Sequence, residues 1–255
     1  MNEVLLLVAG LIGGALNTLA GGGSFIVFPA LLAAGVPPVL ANASNTFAAL
    51  PGYVSGAIGL WKDVVAYRER LLVYGLVAAV FGYAGAELLL HVSDAQFSVV
   101  VPWLMLFAVV LFAFGGRINA FVANRSGASR RARAVGAAVL LLILAAVSLY
   151  GGFFNAGLGV LLLAFLTLAG IGSIHAANGL KLVISSLIAL VAVARFALAG
   201  SIDWYHGGIA LLGVTVGAYV AARLSHRIPT AVIRALVIVY GVALTAYFFW
   251  KTYLA

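Results

Sequence analysis

Cysteine is absent from this 255-residue sequence, and charged side chains are scarce. The lack of cysteine excludes disulfides, iron–sulfur clusters and thiolate metal sites. Charged residues make up 8% of the chain, against about 25% in an average soluble domain. Hydrophobic residues make up 65%, which is more apolar surface than a water-soluble globule of this size can bury. These proportions predict a polytopic membrane protein.

The positive charge of the chain indicates membrane topology. The net charge is +8, but the Lys and Arg residues stand in a few short clusters between apolar runs. Such clusters set the orientation of a protein in the membrane. We therefore expect the chain to contact the lipid bilayer and to bind no nucleic acid. The sequence has no GxxxxGK[ST], HExxH or GxSxG motif. We therefore expect no enzymatic activity, no cofactor and no bound metal.

Ten apolar segments follow one another along the chain. A spanning helix needs about 20 apolar residues, and most of the segments approach that length. The segments are apolar on every face, whereas strands of a membrane barrel alternate at every second residue, so the fold class is predicted to be all-α. The first two segments of each half are short or broken by glycine. The segments are 4–19, 25–34, 39–60, 71–90, 97–115, 135–155, 158–169, 173–199, 207–222 and 231–250.

The two halves of the chain resemble each other weakly but in the same order. Chance similarity is an alternative explanation, because Gly, Ala, Leu and Val recur throughout the sequence. The shared order favours duplication of an ancestral unit. The matched features are residues 13–17 with 151–155, Gly35 with Gly170, Asn42 with Asn178, Asn45 with Lys181, and Asp63 with Asp203.

The basic residues are distributed unequally among the loops. Loop 62–70 contains three Lys or Arg residues, loop 116–134 contains five and loop 223–230 contains two. Loops 91–96 and 200–206 contain none. Short loops rich in Lys and Arg remain in the cytoplasm, so the first three loops are predicted to be cytoplasmic and the other two external.

Loops 62–70 and 200–206 correspond to each other but are predicted on opposite sides of the membrane. We therefore predict two repeats of inverted topology, at 1–115 and 135–255, joined by a basic cytoplasmic linker at 116–134. Each repeat has three full spans plus two short or broken segments, giving 8–10 membrane helices. The short segments either span or form re-entrant hairpins. Both alternatives place the N- and C-termini outside the cytoplasmic membrane.

A run of three glycines interrupts the apolar sequence between Asn17 and Phe25. Irregular backbone at membrane depth is tolerated only where it is buried in protein or lines a cavity. Free N–H groups at the start of a new helix bind anions, so Gly22, Gly23 and Ser24 are candidate ligands together with Asn17. The alternative is a tight turn that needs glycine only for a positive φ.

An equivalent break in the second half favours the anion site over the tight turn. It follows Asn155 in the sequence Asn-Ala-Gly-Leu-Gly. Asn155 occupies the position that Asn17 has in the first half. Two helix starts at corresponding places are expected to face each other at the interface between the repeats, near the middle of the bilayer.

Polar residues at helical spacing mark the third segment of each half. Asn42 and Asn45 are three residues apart, as are Asn178 and Lys181, so each pair shares a helix face. Hydrogen bonding between helices is one explanation for the asparagines. Lys181 favours a binding site, because it lies eight residues into segment 173–199 and a charge at that depth is costly. A bound anion is its expected counter-ion.

Two further charges lie nearer the predicted outer ends of their spans. Arg195 is expected to extend outward to the interface. Glu87 is expected to reach the interface as well, with a proton-relay role as the alternative.

The glycine break and its surroundings resemble a known family. Residues 13–32, GGALNTLAGGGSFIVFPALL, are followed by GVPP at 35–38 and ANASNT at 41–46. Together these stretches resemble the TauE/SafE sulfite exporter family. The Gly-x-Gly at 157–159 and the sequence ANGLK at 177–181 are similar to it too. Outside these motifs the chain matches the family loosely, in length, repeat structure and basic central loop.

The resemblance implies a secondary transporter of small anions, with export as the expected direction. Its substrates would be sulfite, thiosulfate, sulfoacetate or related carboxylates and sulfonates. Alternating access driven by the proton-motive force is the first hypothesis, and a passive anion channel with the same midplane site is the alternative. A membrane scaffold would leave Lys181 and the duplicated breaks unexplained. The pattern leaves open whether the chain forms a homo-oligomer.

The loop charges make a direct prediction about topology. Cysteines introduced as Ser126→Cys and Ser201→Cys should react with a membrane-impermeant thiol reagent from opposite sides, with position 126 cytoplasmic. The cysteine-free sequence supplies a clean background for this labelling. Labelling of both positions from one side would contradict the inverted topology.

Overall fold

The computed structural model of the protein describes residues 2–123, 130–224 and 230–254. Helices make up all of the regular structure in these ranges, and no strand occurs there, as the apolar pattern predicts. The helices are α1 Asn2–Ala20, α2 Ser24–Ala33, α3 Pro38–Gly59, α4 Trp61–Val65, α5 Arg68–Leu90, α6 Asp94–Ala123, α7 Arg130–Phe153, α8 Leu158–Leu168, α9 Ile174–Leu198, α10 Trp204–Leu224 and α11 Thr230–Tyr253.

Each predicted apolar segment overlaps one of these helices, but some helix ends differ from the prediction. Helix α4 overlaps the start of the expected loop 62–70, α6 continues to Ala123, and α7 already begins at Arg130. The predicted segments ended where basic residues begin. Charge limits burial in lipid but does not prevent helix formation, so the helices extend past the apolar runs. Residues 124–129 of the predicted linker, including Ser126, lie outside the described residues.

The helices differ in length and in how much apolar surface they expose. In the described part, three are long and apolar enough to cross a membrane: Arg68–Leu90, Gly136–Phe153 and His175–Leu198. Large apolar side chains such as Leu72 and Leu198 face outward on them. This surface suits contact with lipid tails. The shorter apolar helices cover residues Asn2–Thr18, Ser24–Ala33, Asp94–Val110 and Leu158–Leu168.

The helices pack in pairs that recur in the two halves. Helix α1 packs along α10, and α7 packs along α5. Helix α3 contacts both α9 and α10, while α9 contacts both α3 and α5. If α1, α2, α3, α5 and α6 correspond to α7, α8, α9, α10 and α11, each of these pairs has its counterpart. Helices α3 and α9 thus meet near the centre and bring the polar residues of both halves together.

Glycines allow the closest helix pairs to approach until their backbones touch. On α1 and α10, a Cβ on Gly14 would overlap Val214 O, and one on Gly217 would overlap Leu11 O. On α5 and α7, a Cβ on Gly152 would overlap Gly82 O. Small residues at such crossings let transmembrane helices gain van der Waals contact.

An aromatic cluster positions α2 against the second half. The ring of Phe28 on α2 meets Phe154 edge to face, with ring centroids 5.6 Å apart. Phe97 on α6 packs on both rings. All three side chains are fully buried. Because Phe154 directly follows α7, this cluster holds the start of α2 close to the break that precedes α8.

Alanine at the backbone contacts should destabilise the fold. Gly152→Ala and Gly217→Ala are each expected to lower the free energy of unfolding in detergent by about 1–3 kcal/mol, because the added methyl group forces the helices apart. Gly136→Ala and Gly208→Ala serve as controls on the same two helices, since a Cβ at either meets nothing within 4 Å. The controls should be neutral or stabilising, because alanine favours helix. Equal losses in all four variants would contradict this packing.

Candidate functional site

The three-glycine segment forms a backbone break between α1 and α2. Gly21 has φ +80°, and its N–H donates to Leu16 O and Asn17 O, both at 3.0 Å. Helix α2 begins at Ser24, and Gly22, Gly23 and Ser24 are buried. The backbone N–H groups of Gly22, Gly23 and Ser24 donate no hydrogen bond within the described part of the chain. The start of α2 therefore presents free donors inside the protein.

A second break separates α7 from α8 at the corresponding place. Gly157 has φ +80°, the same as Gly21, and Leu158 begins α8. The N–H groups of Asn155, Ala156 and Gly157 likewise donate no hydrogen bond among the residues described. The hydroxyl of Tyr150 donates to Ala156 O at 2.7 Å and so fixes one carbonyl of the break.

The two breaks touch each other, and Lys181 lies beside them. A Cβ built on Gly159 would lie 3.5 Å from Gly21 Cα and 3.6 Å from Lys181 Cδ. The break of the first half therefore contacts the first turn of α8, next to the stem of this lysine.

Lys181 is buried without a counter-charge. Its side chain is 6% exposed, and its Nζ donates to Asn178 Oδ1 at 3.2 Å. No carboxylate among the described residues lies within 4.0 Å of this nitrogen. A buried cation in this setting is costly unless an anion joins it. The ammonium group has two further protons to donate.

A small cavity at the first break brings four of the predicted residues together. Asn17, Gly23, Ser24 and Asn45 line it, and Asn45 Nδ2 is buried without a hydrogen-bond partner. The cavity leaves about 10 Å³ for the centre of a water-sized sphere, which is the space of about one water molecule. In this conformation it is too small for an oxyanion.

Two asparagines connect α3 to the second break. Asn42 Nδ2 donates to Phe153 O at 2.8 Å, and Asn155 Oδ1 accepts from the hydroxyl of Tyr53 at 3.2 Å. Asn42 Oδ1 and Asn155 Nδ2 remain buried without a partner. Each asparagine thus has one end of its amide group in a hydrogen bond and the other end without a partner.

The structure therefore places all the predicted residues at or next to the two breaks, in three groups. Asn17, Asn45 and the glycine segment with Ser24 form the first group. Asn42 and Asn155 form the second, and Asn178 with Lys181 forms the third. The binding role of these residues remains a prediction.

Sequence reasoning missed Tyr53, Tyr150 and Ser185. Tyr53 and Tyr150 fix the second break, and Ser185 is fully buried with an unpartnered hydroxyl. Ser185 lies four residues after Lys181, so helical spacing was an available signal. Nothing in the sequence connects Tyr53 with Asn155, because 102 positions separate them.

Arg195 and Glu87 do not simply extend outward to the interface, as the sequence predicts. Their side chains pair with each other. Arg195 Nε contacts Glu87 Oε2, and its Nη2 donates to Glu87 Oε1 at 3.2 Å. The pair joins α5 to α9. Both side chains are only partly exposed, and a two-point contact between guanidinium and carboxylate stabilises the charges without full hydration.

Comparison with known proteins identifies the family of the chain. The family described as sulfite exporter TauE/SafE matches residues 6–248, which is nearly the whole chain. The chain belongs to this family. It is therefore a multi-pass membrane transporter, and the resemblance seen at the glycine break extends over both halves.

The curated relatives match over most of their length, and each is named a probable membrane transporter. The chain is 29% identical to a "Probable membrane transporter protein" of Haemophilus influenzae, over 95% of this chain and 92% of that one. It is 28% identical to "Probable membrane transporter protein ORF9" of Sinorhizobium sp, over 94% and 89%. The Escherichia coli K12 "Probable membrane transporter protein YfcA" is 27% identical, over 95% and 87%. No solved structure matches the chain.

Removing the Tyr53 hydroxyl should weaken the support of the second break. Tyr53→Phe leaves Asn155 Oδ1 buried without a donor, so the free energy of unfolding should fall by about 1–3 kcal/mol. Tyr74→Phe is a matched control, since the Tyr74 hydroxyl makes no hydrogen bond in the described part of the chain. Detergent unfolding of both variants checks this. Equal effects would argue against the Tyr53–Asn155 contact.

Proposed function

We propose that this protein is a secondary transporter of small oxyanions, sulfite-like or sulfonate-like, that works by alternating access. The observation that carries the proposal is the meeting of the two backbone breaks beside the buried Lys181. The anion would lie between the breaks and serve as the counter-ion of this lysine.

The unpartnered polar groups support an oxygen-rich anion as the ligand. Asn45 Nδ2 and Asn155 Nδ2 are unpartnered donors, and the backbone N–H groups at both breaks add more. Lys181 contributes a positive charge with two protons to spare. A buried cation together with unpartnered donors matches several acceptor oxygens with a negative charge. Desolvating such a site without its ligand is costly, which favours binding.

The repeated helix pairs support an alternating-access cycle with two inverted repeats. The pair α1–α10 has its counterpart in α7–α5, and the pair α3–α10 has its counterpart in α9–α5. Inverted repeats with broken helices are typical of transporters whose site lies between the repeats at the midplane. The one-water cavity beside Asn45 also fits a closed state of such a cycle better than a permanently open pore.

The proposed setting is the cytoplasmic membrane, with both termini outside and the basic segment 116–134 inside. Its support is the distribution of Lys and Arg among the loops. In this orientation, the anion crosses between the cytoplasmic and external sides of the membrane as the two repeats move relative to each other.

Flux in proteoliposomes separates the transporter from a passive channel. The purified protein, reconstituted without other proteins, should accumulate radiolabelled sulfite against its electrochemical gradient when a pH gradient is imposed. A channel only equilibrates the anion. Accumulation that is abolished by a protonophore supports coupled transport, whereas flux that only follows the anion gradient supports the channel.

Lys181→Met should weaken anion binding without destabilising the protein. Methionine keeps the length and the apolar stem but removes the charge and the donors. A charge-assisted hydrogen bond contributes about 1.5–3 kcal/mol, so affinity should fall about 10- to 150-fold. Melting in detergent without anion should stay unchanged or rise, because an unpaired buried cation is removed.

The matched control is Lys62→Met, since Lys62 is exposed and lies outside the site. This variant should bind anion like the wild type. Unchanged binding by Lys181→Met, together with lowered melting, would assign Lys181 a structural role and overturn the proposed site.

A further inference from the structure

Two apolar cavities open on the surface around the C-terminal end of α11. The first, of about 620 Å³, lies between α1, α2 and α11, and the second, of about 520 Å³, lies between the α2–α3 turn, α6 and α11. Leu32, Phe248 and Lys251 line both cavities. The two cavities therefore adjoin each other at these three residues, and Lys251 lies at the point where they meet.

The first cavity lies where, among the described residues, α11 does not pack closely on α2. In the other half, α6 packs directly against α8. Helix α11 corresponds to α6 and α2 corresponds to α8, yet no comparable packing of α11 on α2 occurs among the described residues. The open space is lined by apolar side chains, among them Val8, Ile12, Pro29, Ala33, Leu244 and Tyr247. Apolar chains, not water, fill such a space in a membrane.

Lys251 lacks a counter-charge at this junction. It is exposed in the last turn of α11, and no carboxylate among the described residues lies within 4.0 Å of it. The acids on the neighbouring helices are engaged elsewhere. Asp94 on α6 accepts from the Val39 N–H at 2.8 Å, and Glu3 on α1 accepts from the Tyr205 hydroxyl at 3.2 Å.

We propose that this place binds one phospholipid with an anionic headgroup. One acyl chain lies in the cavity between α1, α2 and α11, the other lies in the cavity beside α6, and the phosphate contacts Lys251. A diacyl lipid has two apolar chains that diverge from a charged phosphate, which is the arrangement of the two cavities about this lysine. The lipid would fill the gap that α11 leaves along α2.

Native mass spectrometry of the detergent-purified full chain tests the site. The protein is exposed to equal amounts of phosphatidylglycerol and phosphatidylcholine with matched acyl chains. Wild type should retain phosphatidylglycerol about fivefold more than phosphatidylcholine, the effect of about one basic residue near an anionic headgroup. Lys251→Gln should lose this preference, whereas the exposed control Lys62→Gln should keep it.

A second pair of variants tests the cavity independently of charge. Ala33→Phe places a ring in the first cavity, so it should reduce retention of both lipids at least severalfold by occupying the chain's space. Ala246→Phe on exposed α11 surface lines neither cavity and should bind like the wild type. Equal retention of the two lipids by the wild type overturns the proposal, as does unchanged preference in Lys251→Gln or unchanged retention in Ala33→Phe.

Discussion

Hydrogen bonding of the backbone at membrane depth is the constraint on which the rest of this structure depends. Lipid tails offer no partners for N–H and C=O groups, so the two helix breaks must be enclosed by protein. The fold meets this requirement by placing the breaks against each other, where Gly21 faces Gly159. The surrounding helices can enclose them because glycine lets α1 approach α10, and α5 approach α7, to backbone contact.

A buried positive charge also lies at this junction of the two breaks. An ionised side chain within a membrane costs at least about 2.5–3.5 kcal/mol. Lys181 meets that cost with one amide oxygen and no carboxylate in the described part of the molecule. Arg195 shows the contrast on the same helix, because Glu87 neutralises it. One cation of α9 is therefore paired with a carboxylate, while the other has none among the described residues.

The sequence predicts features set by local chemistry better than features set by neighbouring helices. The breaks and turns fall at Gly21, Gly35, Gly157 and Gly170, and each of these has a positive φ. The apolar runs predict the helices, and the costly depth of Lys181 singles it out. The Tyr53–Asn155 and Glu87–Arg195 contacts were not predictable, because both depend on which helices become neighbours across more than 100 residues.

The position of the bound anion tests the central claim most directly. A crystal grown with the selenium counterpart of the transported anion, such as selenite for sulfite, locates the ligand by anomalous scattering. The account predicts one strong peak between the two breaks, within hydrogen-bond distance of Lys181 Nζ. A peak elsewhere, with Lys181 making no contact to it in protein that transports the same anion, would contradict the account.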